Sequence, residues 1–239
     1  MTPGREEPGS QLRRAVEVMD RLRSPGGCPW DAEQTHASLT RYLLEETYEV
    51  LEAIETGDLT LLREELGDLL LQVLFHARIA AELPADAGRF DIEDVAGDLV
   101  DKLIARHPHV FAGVQAASVQ EQTELWEELK VAEKGRTSAV DGVPLAQPAL
   151  ALAAKLISRA DRAGLTAPAS GALNPRVARN GAPLDGETRH SAGASEDEIG
   201  LRLFELVREA VAAGVDPEAA LRRTARAFGD AVVAAESAQ

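Results

Sequence analysis

Two long stretches of helical periodicity, about 38–56 and 60–82, are separated only by Gly57-Asp58-Leu59, and this arrangement constrains the chain more than any other feature. Helices joined by so few residues must double back and pack side by side, so the sequence predicts an antiparallel helical hairpin. In the first helix the apolar stripe is Leu43, Thr47, Val50, Leu51 and Ile54, with Glu46 at its flank and Glu49 one turn on. Glu45 and Glu52 turn further toward solvent. The second is apolar nearly all round from Leu66 onward, as a buried helix should be. Glu65, Asp68 and Gln72 nevertheless share one stripe of it.

Unpaired carboxylates on a helix that packing draws inside cost several kcal/mol each, at about that order, or are forced neutral. A divalent cation removes the conflict. Antiparallel packing lets Glu46 and Glu49 face Glu65 and Asp68 as a patch of four carboxylates, and hard Mg²⁺ takes such oxygen ligands while leaving positions for phosphate oxygens. Either acidic pair alone reads more readily as a solvated helix face; the pairing of ExxE with ExxD on adjacent helices, the second within an apolar run, favours the metal.

The rest of the chain reads as helix too. Apolar residues make up 45% of it but aromatics only 4%, the excess being Ala and Leu, so the fold class is all-α. Further helices are predicted over about 11–23, 92–106, 119–134, 148–163, 195–213 and 217–236, with a loop at 24–29 and a turn at 141–144. Residues 166–195, rich in Ala, Gly, Pro, Asn and Arg, read as a long loop. We expect a helical domain over 1–140 and a second over 141–239. A formal charge of −15 opposes binding to duplex nucleic acid and anionic membranes. The single cysteine, Cys28, and the absence of a signal peptide or membrane span lead us to expect a cytoplasmic protein.

Leu43-Leu44-Glu45-Glu46-x-x-Glu49 followed by Glu65-Leu66-Gly67-Asp68 resembles the EExxE…ExxD signature of the all-α nucleoside triphosphate pyrophosphohydrolases, and of MazG in particular. Cys28-Pro29-Trp30-Asp31 with Gln34-Thr35-His36, Arg106-His107-Pro108-His109-Val110-Phe111 and Trp126-Glu127-x-x-Lys130 extend the likeness over about residues 11–165. The resemblance implies a four-helix-bundle-like fold and hydrolysis of nucleoside triphosphates to monophosphate and pyrophosphate. It implies Mg²⁺, with Mn²⁺ as a substitute, held by Glu46, Glu49, Glu65 and Asp68. Glu49 or its neighbour Glu45 can instead take the proton from water.

The same resemblance puts Lys102, Arg106 and Lys130 near the phosphates; spacing alone would make them surface partners of Asp98, Asp101, Glu127 and Glu128. Trp30 and Trp126 are the two tryptophans, and either can stack on a base. Trp126, on a helix face, is also a natural core residue. His107 and His109 flank a proline and suit a structural loop, while His76 suits a core or interface.

The second half departs from the pattern. A second EExxE should stand where residues 166–195 are, Leu201 occupies the Asp position after Glu198-Ile199-Gly200, and Ala227 and Ala231 stand at Lys and Arg positions. We read 141–239 as a degenerate repeat that keeps apolar positions such as Ile199, Leu203, Leu206 and Val207 for packing. A homodimer is the default for such a repeat. The expected function is a house-cleaning triphosphate pyrophosphohydrolase with one working site per chain. The alternatives are a pyrophosphatase narrowed to dUTP or phosphoribosyl-ATP, or a helical interaction module with an acidic docking surface.

Overall fold

A computed structural model describes residues 9–112, 138–165 and 195–237 of the chain. It divides into two compact units, Met1–Thr123 and Glu124–Gln239. In the first, α1 is Ser10–Arg23, α2 Pro29–Glu33, α3 His36–Thr56, α4 Leu59–Ala80, α5 Ile92–Arg106 and α6 Pro108–Phe111, with one 3₁₀ turn at Ala85–Ala87. In the second, α7 is Ala149–Arg162, α8 Glu196–Ala212 and α9 Pro217–Ser237. Every regular element among the described residues is helical, so the chain is all-α.

The hairpin is built by local chemistry at its ends. Thr35 starts α3 with a capping box: its hydroxyl accepts from the Ser38 N–H at 3.1 Å, and the Ser38 hydroxyl accepts from the Thr35 N–H at 2.9 Å. Gly57 ends α3 in the left-handed conformation, φ 74°, which only glycine adopts without penalty. Asp58 follows at once and caps α4, its carboxylate accepting from the N–H groups of Thr60 and Leu61 at 2.9 and 3.0 Å. Chain reversal therefore takes two residues, and α3 lies against α4 along its length.

The core of this unit is Met19, Leu39, Leu74 and Phe75, with Val16, Leu22, Tyr42, Leu70, Ile79 and Ile92 packed around it. A buried cation ties the loop after α1 to this core. Arg23 is 9% exposed. It donates from Nε and Nη2 to the two oxygens of Glu82 at 3.0 and 2.8 Å, and from Nη1 to the carbonyls of Gln34, at 3.1 Å, and Asp31. Its guanidinium also lies 5.5 Å from the centre of the Phe75 ring. Gly27 is needed where the loop folds back, because a Cβ there would collide with the carbonyls of Arg21 and Leu22.

Several details differ from the sequence reading. Trp30 and the 107–109 segment are not in plain loops. Pro29 and Pro108 each stand at the start of a short helix, where a missing N–H and a fixed φ are assets. On α3 the inward stripe is Leu39, Leu43, Glu46, Val50 and Ala53, so Glu46 lies in the seam and not at its flank, while Thr47 and Ile54 face outward. Nor is α4 buried all round, since Leu66, Leu71 and Val73 are exposed in this chain. The helix expected over 119–134 and the loop expected over 166–195 fall largely outside the described residues.

In the second unit Ile157, Val207 and Val143 are buried. Of the four apolar positions singled out on α8, Val207 is inside and Ile199, Leu203 and Leu206 are exposed. The carboxylate of Glu198 accepts from the Ser195 N–H at 2.8 Å and closes a capping box. That acid is engaged in starting a helix. No described helix is long and apolar enough to cross a membrane.

Candidate metal centre

The seam between α3 and α4 carries the acids. Glu46 stands one turn beyond Tyr42 on α3 and Glu49 three residues further, while Glu65 and Asp68 stand three apart on α4. One oxygen each from Glu46, Glu49 and Glu65 lies within 4.8 Å of the others, the single grouping among the described residues spaced to hold a metal ion. Asp68 is outside that set of three but near enough for its charge to act on both Glu46 and Glu65. Glu45 is exposed on the outer side of α3.

Burial and mutual repulsion oppose ionisation here. The Glu46 carboxyl is pushed up from its ordinary 4.5 to about 7, first by desolvation, then by a hydrogen bond with Glu49 and the charges of Asp68, Glu49 and Glu65. Glu65, 8% exposed, is raised for the same reasons, with burial first and then the charges of Glu49, Asp68 and Glu64. The leading charges on these two groups are those of Glu49, Asp68, Glu64 and Glu65, all carboxylates. A cluster of hard oxygen donors that resists its own ionisation is suited to a small divalent cation, which replaces the protons and cancels the repulsion.

This geometry fixes the sign of a pH effect. Because the folded pKa of Glu46 and of Glu65 lies above the unfolded value, the metal-free fold gains stability from their protonation below about pH 4.5 and loses it as pH rises, for Glu46 through about 7. Glu82, lowered by its hydrogen bond to Arg23, works in the opposite direction at lower pH, where falling pH removes its contribution. Thermal unfolding in a chelator should therefore show a midpoint that declines between pH 5 and 7.5. A saturating divalent ion should flatten that decline, because ligands and protons compete. A midpoint that rises over the same interval in the chelator contradicts this assignment.

The other candidates are placed as follows. Trp30 is the second residue of α2, 50% exposed, with its ring edge-on to Tyr42 at 6.0 Å and to Phe75 at 6.4 Å. Lys102 and Arg106 are one turn apart on α5, Lys102 exposed and Arg106 half-buried. Trp126 and Lys130 lie outside the described residues. His76 is half-buried on α4 and meets His36 of α3, their Nδ1 atoms 2.7 Å apart. Sequence reasoning placed Gln72 on the acidic stripe without giving it a part. It is 4% exposed, and its Oε1 is buried without a hydrogen-bond partner.

An antiparallel helical pair with carboxylates converging from both limbs defines an all-α protein whose seam is spaced to hold a metal ion. Residues 34–111 match the MazG nucleotide pyrophosphohydrolase domain, a span that contains α3, α4 and all four acids. Over 231 residues the chain is 48% identical to an uncharacterized 26.1 kDa protein of Streptomyces cacaoi, covering 96% of this chain and 84% of that one. It is 40% identical to the nucleoside triphosphate pyrophosphohydrolase of Escherichia coli K12, covering 92% and 84%. With the nucleoside triphosphate pyrophosphohydrolase of Mycobacterium tuberculosis the identity is 55%, covering 66% of this chain and 47% of that protein's length. The chain belongs to the MazG nucleotide pyrophosphohydrolase family.

Proposed function

We propose that the chain hydrolyses nucleoside triphosphates to monophosphate and pyrophosphate at the α3–α4 seam, with Mg²⁺ as the natural ion and Mn²⁺ as a working substitute. The observation that carries this reading is the convergence of Glu46, Glu49 and Glu65 in one seam, where burial and neighbouring charge disfavour the ionisation of Glu46 and Glu65. Those three hold the ion, with Asp68 supplying a fourth carboxylate. When bound, the ion neutralises charge developing on the phosphates and makes water acidic enough to react.

The chain's own groups do the rest. Of the two carboxylates expected to take the proton of the attacking water, Glu49 is the one on the seam, Glu45 being exposed on the outer side of α3. It accepts that proton in place of a bond to the ion, which Glu46, Glu65 and Asp68 then hold, as the bond between the α and β phosphates breaks and pyrophosphate leaves. Lys102 and Arg106 of α5, with Lys130, draw the triphosphate into an otherwise acidic protein. Trp30 offers its ring to the base; its neighbours Tyr42 and Phe75 stand one turn from Glu46 and Gln72 respectively, a separation suited to a nucleotide whose phosphates rest on the carboxylates. Trp126 is the second stacking candidate.

The exposed apolar side chains Leu66, Leu71 and Val73 of α4 and Leu203 and Leu206 of α8 support a homodimer, since a monomer gains nothing by keeping them in water. The second unit acts as a packing repeat without its own chemistry, and the task is house-cleaning of the cytoplasmic nucleotide pool.

The test is release of pyrophosphate from a panel of ribo- and deoxynucleoside triphosphates with Mg²⁺, Mn²⁺ or chelator. Metal-dependent pyrophosphate with equal monophosphate supports the reading. Orthophosphate overturns the bond assignment, turnover of dUTP or phosphoribosyl-ATP alone narrows the substrate, and no turnover at all favours an interaction module.

A further inference from the structure

Two histidines of the hairpin meet head-on. His36 is the first residue of α3, and His76 stands one turn before the end of α4. Their Nδ1 atoms are 2.7 Å apart, and their ring planes agree to 2° with centres 5.0 Å apart. The distance between centres is the nitrogen separation plus the radius of each ring, so the nitrogens lie on the line of centres and the rings share one plane, edge to edge. Each Nδ1 points straight at the other, and the gap holds one hydrogen: an N–H of one imidazole donates to the bare nitrogen of its neighbour. A metal ion bound at about 2.0–2.1 Å from each nitrogen needs them further apart, with lone pairs that converge on it. The occupant is therefore a proton.

Such a pair counts protons. The first added proton goes to an outer Nε2 and leaves the bond intact, now charge-assisted. That outer site belongs to His36, which is exposed, because the Nε2 of His76 is buried without a partner. A second proton has only the bonding Nδ1 of His76 left to occupy, and N–H then faces N–H. Burial and the charge of His36 both hold His76 below its ordinary 6.5, so this second step is resisted. The charged groups of the surrounding elements are engaged elsewhere. Asp20 and Arg23 of α1 are bonded to Arg78 and Glu82 of α4, and Arg41 of α3 lies over the Tyr42 ring. Arg89, Asp91 and Glu93, around the start of α5, line a groove against Leu74 and Ala77 that His76 does not share. Asp31 and Glu33 are the acids of α2, on the segment that leads into His36.

That segment mounts Trp30. Gln34 donates from Nε2 to the Trp30 carbonyl at 2.9 Å, and its Oε1 accepts from the Ser38 hydroxyl at 2.7 Å, so α2 and the first turn of α3 form one hydrogen-bonded corner. Arg23 ties this corner to α1 with a charge that does not titrate. The histidine pair ties it to α4 with one that does. We propose that His36 and His76 form a proton-counting latch, which fastens the corner carrying Trp30 to α4 while the pair holds at most one added proton and releases it when a second binds. Because that corner offers Trp30 to the base, its release weakens nucleotide binding in acid, a consequence that rests on the function proposed above; the latch itself does not.

The test is amide hydrogen exchange of the full, metal-free chain at pH 7.5 and pH 5, corrected for the intrinsic pH dependence of exchange, in the wild type, His36→Gln, His76→Gln and the double variant. In the wild type, protection over 30–38 should fall about three- to tenfold at pH 5, the worth of one hydrogen bond. In each single variant that fall should vanish, and the double variant should match the singles, because both residues act through one bond. His36→Gln changes an exposed side chain and serves where His76→Gln perturbs the fold. The unfolding midpoint supplies a second readout. Below pH 6.5 the unfolded chain takes a proton that native His76 refuses, so acidification costs the wild type stability that the variants keep. This opposes the effect of Glu46 and Glu65 and is read as the difference between wild type and variant at one pH.

Unchanged wild-type protection at pH 5 overturns the latch. An equal fall in wild type and variants places the titrating group elsewhere and overturns it too. Neither readout needs turnover, so a failure of the pyrophosphohydrolase reading is seen separately, as absence of pyrophosphate.

Discussion

Exchanging Glu65 for Gln should lower metal-dependent pyrophosphate release by about 10²- to 10³-fold while raising the unfolding midpoint of the metal-free protein. The two effects share one cause. Glu65 is buried beside Glu49 and Asp68, so its charge is costly until a cation arrives, and a neutral isostere removes both the cost and the ligand. Stabilisation by added Mg²⁺ should shrink in the same variant, since the difference in affinity between native and unfolded chain is what raises the midpoint. The measurement pairs an assay of pyrophosphate with thermal unfolding at pH 7.5, with and without Mg²⁺. Full activity in the variant excludes Glu65 from the ligand set. A lower metal-free midpoint contradicts the account of crowded charge.

A second large effect is expected on stability at Arg23. Replacement by Ala leaves the carbonyls of Asp31 and Gln34 without their donor, uncovers the Phe75 ring and strips Glu82 of a two-point partner. Removal of a buried charged partner of this kind costs about 3 kcal/mol. For a chain of this size that corresponds to a midpoint lower by about 6–12 °C. Glu82 is partly exposed and also paired with Arg78, so Glu82→Gln should cost distinctly less. In Arg23→Ala the loss of stability on acidification attributable to Glu82 should weaken, because Arg23 is the leading cause of its lowered pKa. Denaturation followed at pH 3.5 and pH 7 for wild type and both variants checks the ranking; equal costs for the two would show that the charge pair, and not the carbonyl contacts, carries the effect.

Much of the hairpin was readable because its signals are local. Thr35, Gly57 and Asp58 are strong start and stop residues, and apolar spacing drew both long helices with ends correct to a residue or two. The stripe Glu65–Asp68–Gln72 followed from periodicity alone. Periodicity sets Glu46 beside the seam because the inward line runs through Ala53, whose small side chain gives little apolar signal, while Ile54 next to it draws the stripe outward. The short helices after Cys28 and His107 were missed because Pro29 and Pro108 read as breakers when each is a starter. The Arg23–Glu82 pair joins residues 59 apart, and no local pattern announces such a contact. The burial of Gln72 has no local signal, because a glutamine on a helix is ordinarily solvated.

All four acids sit between residues 46 and 68, on two helices joined by a turn of two residues. Contacts that close such a short loop form early and independently of distant chain, since little loop entropy must be lost. The group of acids is thus a self-contained cassette. Changes elsewhere in the chain, 141–239 included, can therefore accumulate without disturbing the hairpin, which needs only its own roughly 20 residues and its turn to bring the acids together.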